Sequence, residues 1–138
     1  MTNINGDLIT VTPGTVYYIM KLIGSKIENE LRTSLIASSQ SLFNSNNEVI
    51  KKLKLVYPEM ISAYILNWIP EQGEYIYFIL INGSIIVQIE WNREDDECHI
   101  TGTFSIPEYY KGITKTSKLK LTIALELATK EMNKNAGK

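Results

Sequence analysis

One cysteine and one histidine stand side by side in this chain, Cys98 and His99, and it has no other thiol or imidazole. A nucleophile–base dyad needs both side chains within reach of each other, whereas neighbouring residues of a strand point to opposite faces. The expectation is a small buried Cys98 beside an exposed His99. Zinc sites draw on several Cys, His or carboxylate ligands at set spacing, which one residue of each kind does not supply, so no metal or other cofactor is expected. No G-x-S-x-G, Walker loop, G-x-G-x-x-G or H-E-x-x-H occurs. The carboxylate pairs Glu28/Glu30 and Glu126/Glu131 fall at helix-surface positions and are expected to be solvated. Nothing here is read as an enzyme.

Charge and aromatic side chains carry more information. Glu94, Asp95, Asp96 and Glu97 follow one another, with Glu90 just ahead and only Arg93 to offset them. Like charges on one loop repel, and the functional counterpart of that cost is a docking patch for a basic partner, because complementary charge speeds association and rejects wrong partners. Lys51, Lys52 and Lys54, and Lys111, Lys115, Lys118 and Lys120, lack aromatics at a stacking spacing. With a net charge of −1, nucleic acid is not an expected partner, since affinity for phosphate comes mainly from clustered lysine and arginine.

The elements that position these residues follow from periodicity. Residues 1–11 end in Leu8, Ile9 and Val11 and form a short strand or a docked tail. Thr12-Pro13 reads as a helix start, and Val16, Ile19/Met20, Ile23, Ile27, Leu31 and Leu35 continue at i+3/i+4 spacing to about Phe43. Ser45-Asn46-Asn47-Glu48 is a capping pattern for a second helix, with Val49, Ile50, Leu53 and Val56 inward and a stop before Pro58. From Ile61 the period falls to two: 61–69 is a strand, with a helix over 58–68 as competitor. Pro70-Glu71-Gln72-Gly73 turns the chain, and strands over 74–81 and 84–91 flank Asn82-Gly83, a hairpin signal. After a charged loop, 98–106 is a fourth strand closed by Pro107. Ser117 caps a last helix with Leu121, Ala124, Leu125, Ala128 and Met132 on one face. The fold class is α+β: two N-terminal helices, a three- to four-stranded antiparallel meander and a C-terminal helix, with the helices packed on one sheet face. The whole chain, 138 residues, is expected to be a single domain.

A two-residue Asn-Gly turn sets Leu80 opposite Ile85, Phe78 opposite Val87 and Ile76 opposite Ile89. With Trp91, Ile65, Ile100 and Phe104 these make one apolar face for the helices. The other face carries Tyr75, Tyr77, Ile79 and Ile81 with Ser84, Ile86, Gln88 and Glu90, joined by Tyr64, Leu66 and Trp68. Aromatic side chains dominate protein–protein hot spots. Trp68, Tyr75, Tyr77 and Glu90, with Glu94, Asp95, Asp96 and Glu97, are therefore the candidate partner-binding residues. The alternative is that an element covers this face and the tyrosines are peripheral core.

One cysteine fits a reducing compartment. The N-terminus lacks the pattern of a signal peptide, and the longest apolar run, 75–81, is far shorter than the ~20 residues of a membrane span. A cytoplasmic protein is expected. Isoleucine, asparagine and lysine are frequent, and arginine is confined to Arg32 and Arg93. In size, this bias, the aromatic sheet face and the acidic loop, the chain resembles the small immunity proteins of bacterial polymorphic-toxin systems, those of contact-dependent growth inhibition above all. That resemblance implies a non-enzymatic protein that binds and neutralises a cognate toxin, often a basic nuclease. Alternatives are another interaction module, such as a secretion chaperone or a phage-encoded inhibitor, and a small ligand-binding domain or enzyme.

Overall fold

Gly24 decides where the first helix begins. In the computed structural model, which describes residues 6–12 and 15–136 with side chains from 21 to 135, Gly24 is left-handed (φ +77°), a conformation glycine adopts without strain. Ser25 follows as N-cap of α1 (Lys26–Asn44) and accepts from the Glu28 N–H. The expected helix is thus too long at its start. The chain before Gly24 forms β1 (Gly6–Thr12) and β2 (Thr15–Met20), an antiparallel pair. Thr15-Val16-Tyr17-Tyr18-Ile19 is a run of strand formers whose i+3 apolar spacing imitates a helical stripe. Pro13, expected at the first helical position, and residues 1–5 lie outside the described residues.

Asn47, not Ser45, opens α2 (Glu48–Val56), its side chain accepting from the Ile50 N–H at 3.1 Å. Ser45 instead closes α1, donating its N–H to the Ser41 carbonyl. Val49, Ile50 and Leu53 are buried as the pattern requires, whereas Val56 is exposed. The ambiguous stretch from Ile61 resolves as strand β3 (Ala63–Glu71). It is followed by β4 (Glu74–Ile81), β5 (Ile85–Asn92) and β6 (Glu97–Phe104), an antiparallel sheet in the order β3-β4-β5-β6. The last strand ends at Phe104, short of the expected Ile106, and Pro107 sits instead in the first turn of a short α3 (Ile106–Lys111), opened by a reciprocal capping box between Ser105 and Glu108. The last helix, α4 (Lys115–Ala136), starts ahead of Ser117, whose N–H is received by Thr114 Oγ1. The α+β class and the broad helix order agree with expectation, with a preceding hairpin and α3 added.

The hairpin register differs by one residue. Asn82 and Gly83 both take positive φ (51° and 66°), as the Asn-Gly signal implies. The Ser84 N–H closes the turn onto the Ile81 carbonyl at 3.0 Å, yet Ser84 stays outside the ladder, and Ile81 pairs with Ile85, Leu80 with Ile86 and Tyr77 with Ile89. A one-residue slip carries every side chain of one strand to the other face. Leu80 and Phe78 therefore share a face with Ile86 and Gln88, while Ile79, Ile81, Tyr75 and Tyr77 share the other with Ile85, Val87, Ile89 and Trp91.

Both faces are consequently apolar, and helices cover both rather than one. On the first, Tyr64, Leu66, Leu80 and Ile86 pack with Leu35 of α1, Ile106 of α3 and Leu121, Ala124, Leu125 and Ala128 of α4. On the second, Ala63, Ile79, Ile81, Val87, Ile89 and Cys98 pack with Leu42 of α1 and Val49, Ile50 and Leu53 of α2. The helix α1 reaches both clusters by crossing the edge strand β3, where Ser38 Oγ accepts from the Ile65 N–H at 3.2 Å beside a bulge.

Candidate functional site

Correcting the register regroups the candidate residues. Tyr75 lies opposite Trp91, and Tyr77 opposite both Ile89 and Trp68. All are on the α2 face, where Tyr77 and Trp91 pack against the cluster that holds Val49, Ile50 and Leu53. They form a row of rings: Trp68 meets Tyr75 edge-on at 5.4 Å, Tyr75 meets Trp91 at 5.7 Å, and Tyr75 meets Tyr77 at 6.3 Å. Edge-to-face and tilted contacts at these distances suit the ring quadrupoles. The row climbs out of the core. Tyr77 is partly buried, and burial, then the neighbouring Tyr75 and Cys98, raises its phenol pKa. Trp68, at the other end, is 50 % exposed.

Two residues outside the expected set, Trp91 and Arg93, belong to this site. Trp91, assigned to the helix-covered face, joins the row and donates its indole N–H to Asp96 Oδ1 at 2.7 Å. Arg93 lays its guanidinium over the Tyr75 ring, 4.4 Å from the centroid, and donates to the Tyr75 hydroxyl at 3.1 Å. Its own N–H donates to the Gly73 carbonyl, fixing it beside the β3–β4 turn. The signal for both lay in the cross-strand pair Tyr75–Trp91, visible only in the right register.

The acidic loop is held by its own backbone. Asp95 Oδ1 accepts from the Glu97 N–H, Asn92 Oδ1 accepts from the Glu94 N–H, and Asp96 takes a positive φ of 56°. Glu97 stands 3.4 Å from His99 Nε2. Asp96 alone of the four ties to the aromatic row, so loop and row form one continuous, acid-edged surface. Glu90 does not join them. It pairs in register with Ile76 and His99 on the opposite face and accepts weakly from Gln88 Nε2 at 3.4 Å.

The carboxylates read as solvated are mostly not. Glu28 is 4 % exposed and receives the N–H groups of Ile23 and Gly24 and the Ser25 hydroxyl. Glu126 pairs with Arg32, joining α4 to α1, and Glu131 receives the Tyr64 and Ser62 hydroxyls. These are structural clamps. Cys98 is 8 % exposed. Burial first, then the charges of Glu48 and Asp96, pushes its thiol up to about 11. Cys98 pairs in register with Trp91 and His99 with Glu90, so their side chains lie on opposite faces. Together with Lys51, Lys52 and Leu55 they line a shallow groove of about 310 Å³ between α2 and the acidic loop, which holds no activated nucleophile. Among the described residues no cluster of three His, Cys, Asp or Glu is placed to hold a metal, and no helix is long and apolar enough to cross a membrane. Comparison with protein-family models, curated proteins and solved structures finds no match to the chain.

Proposed function

We propose that this chain is a non-enzymatic, cytoplasmic immunity-type protein that binds and neutralises a cognate, basic bacterial toxin domain through the aromatic row and the acidic loop. One observation carries the proposal: a half-exposed tryptophan, Trp68, ends a row of packed rings that the Trp91–Asp96 hydrogen bond ties to a run of exposed carboxylates. Tryptophan at the centre of an interface, ringed by polar groups that exclude water, is the usual composition of a hot spot. Rings already packed on one another lose little side-chain freedom when a partner seats on them. The acids supply steering toward a basic surface. Glu90, on the other sheet face, is left out of this contact surface, and Trp91 enters it.

The test is co-expression with the product of the gene immediately upstream. A stable stoichiometric complex is expected, with Trp68→Ala raising the Kd by roughly 30-fold or more, as for a hot-spot residue. Reversing Asp95 and Asp96 to lysine should slow association at low salt and leave dissociation nearly unchanged. No complex with any adjacent toxin-like domain, or a complex indifferent to Trp68, sinks the proposal.

A further inference from the structure

The aromatic row already holds one cation, which identifies what a partner would bring to it. Arg93 stacks on Tyr75, the ring next to Trp68, so the surface accepts a guanidinium over an aromatic face. Trp68 offers the stronger ring for such stacking. Among the described side chains no cation stacks on it, and half of its surface is open. Strands in a sheet stand about 4.8 Å apart, and Trp68 on β3 lies two strands from Trp91 on β5. Trp91 holds Asp96 of the acidic loop. The ring centroids step 5.4 Å from Trp68 to Tyr75 and 5.7 Å from Tyr75 to Trp91, so a short flexible segment carrying two long arginine side chains can span the open ring and the carboxylate that Trp91 holds. We infer that this face is a binding site for an arginine-bearing segment of a protein partner: one guanidinium stacks on Trp68 as Arg93 does on Tyr75, and a second, three residues along, pairs with Asp95 and Asp96. The inference rests on the proposed binding of a basic toxin and names the side chain that such a partner presents.

Short peptides test it without the toxin. The whole protein is titrated with acetyl-Arg-Gly-Gly-Arg-amide, its lysine counterpart and its citrulline counterpart, which keeps the shape of arginine and loses the charge. Tryptophan fluorescence and the indole N–H resonances report binding. The arginine peptide is expected to bind at least tenfold tighter than citrulline and severalfold tighter than lysine, with the Trp68 indole signal shifting. Trp68→Ala should weaken it tenfold, Trp68→Phe much less, and Arg93→Gln should leave it equal or tighter by freeing Tyr75. Circular dichroism confirms that each variant is folded. Equal binding of arginine and citrulline, equal binding of arginine and lysine, or a folded Trp68→Ala variant that binds as the parent does, overturns the inference. A failed peptide titration beside a stable toxin complex refutes arginine recognition and leaves the immunity proposal standing; loss of the complex itself refutes that proposal.

Discussion

Glu28 shows how much one side chain sets at the residue scale. Its carboxylate closes the loop ahead of α1 by receiving the N–H groups of Ile23 and Gly24 and the Ser25 hydroxyl. Burial alone would raise its pKa; the hydrogen bonds from Gly24, Ile23 and Ser25 outweigh it and bring the value below the ordinary carboxylate range. A carboxyl whose folded pKa is depressed stabilises the fold above its unfolded pKa, and that stabilisation is lost as pH falls through the folded value. Acidification below about pH 4.3, the usual glutamate value, should therefore unfold the protein partly through this group. Glu28→Gln is expected to lower the urea midpoint at about pH 7 and to make it less sensitive to acid than that of the parent. Parallel pH profiles for the two proteins would contradict this role. The sequence held the signal, Ser25-x-x-Glu28 behind a glycine, but an apolar stripe running through Gly24 hid it.

At the scale of elements, turns decide more than strands do. The β4–β5 connection was legible as Asn-Gly, yet its register was not, because Ser84 counts as one extra residue and nothing in the alternation of 74–81 and 85–92 favours one face. Both faces of these strands are apolar, since both are covered, so the period-two pattern that normally fixes register has no polar side to point to. The same two-sided burial explains why the core was expected on one face only. Other elements were legible for local reasons: β4 has its expected limits, and α2 starts within the capping stretch. The short α3 was missed because Pro107 reads equally as the end of a strand and as an early helical residue. The second task of Asn82 was equally hidden. Its side chain accepts from the N–H groups of Ile61 and Ser62 at 2.9 and 3.0 Å and donates to the Glu59 carbonyl at 3.1 Å, so the turn is also the brace of the α2–β3 connection. Asn82→Ala should cost roughly 2–3 kcal/mol, from lost hydrogen bonds and a left-handed backbone that alanine tolerates poorly. Asn82→Gly relieves the backbone and still loses the three bonds, and Asn82→Asp keeps the two acceptor contacts. Denaturant midpoints should then rank parent, Asp, Gly, Ala. A glycine variant as stable as the parent would show that only the backbone conformation matters.

On the scale of the whole molecule, the candidate site and the core are joined through one sheet. The aromatic row continues the packing of the α2 face, where Ile79, Val87 and Ile89 meet Leu53, and the opposite face of the same strands meets Leu35 and α4. Each strand thus carries half of either core. The helix α1 adds a second link, since Leu35 and Leu42, about 10 Å apart along its axis at 1.5 Å per residue, enter different clusters. Unfolding either side would strip the sheet of one covering layer and expose isoleucines to water at about 25 cal/mol per Å². The two halves should therefore unfold together. Leu35→Ala and Leu53→Ala, both fully buried positions, are each expected to cost about 2–5 kcal/mol. In each variant the near-ultraviolet signal of Trp68 and Trp91, which reports the α2 face, should change at the same denaturant concentration as the far-ultraviolet helix signal, as in a two-state domain. If Leu35→Ala instead gave two transitions, with the tryptophan signal surviving the loss of helix, the α2 face and its aromatic row would be an independently stable unit. The partner surface could then persist after the α4 side had melted. A single shared transition means that any mutation weakening the α4 side also dissolves the partner surface, so the binding tests above need variants matched in stability.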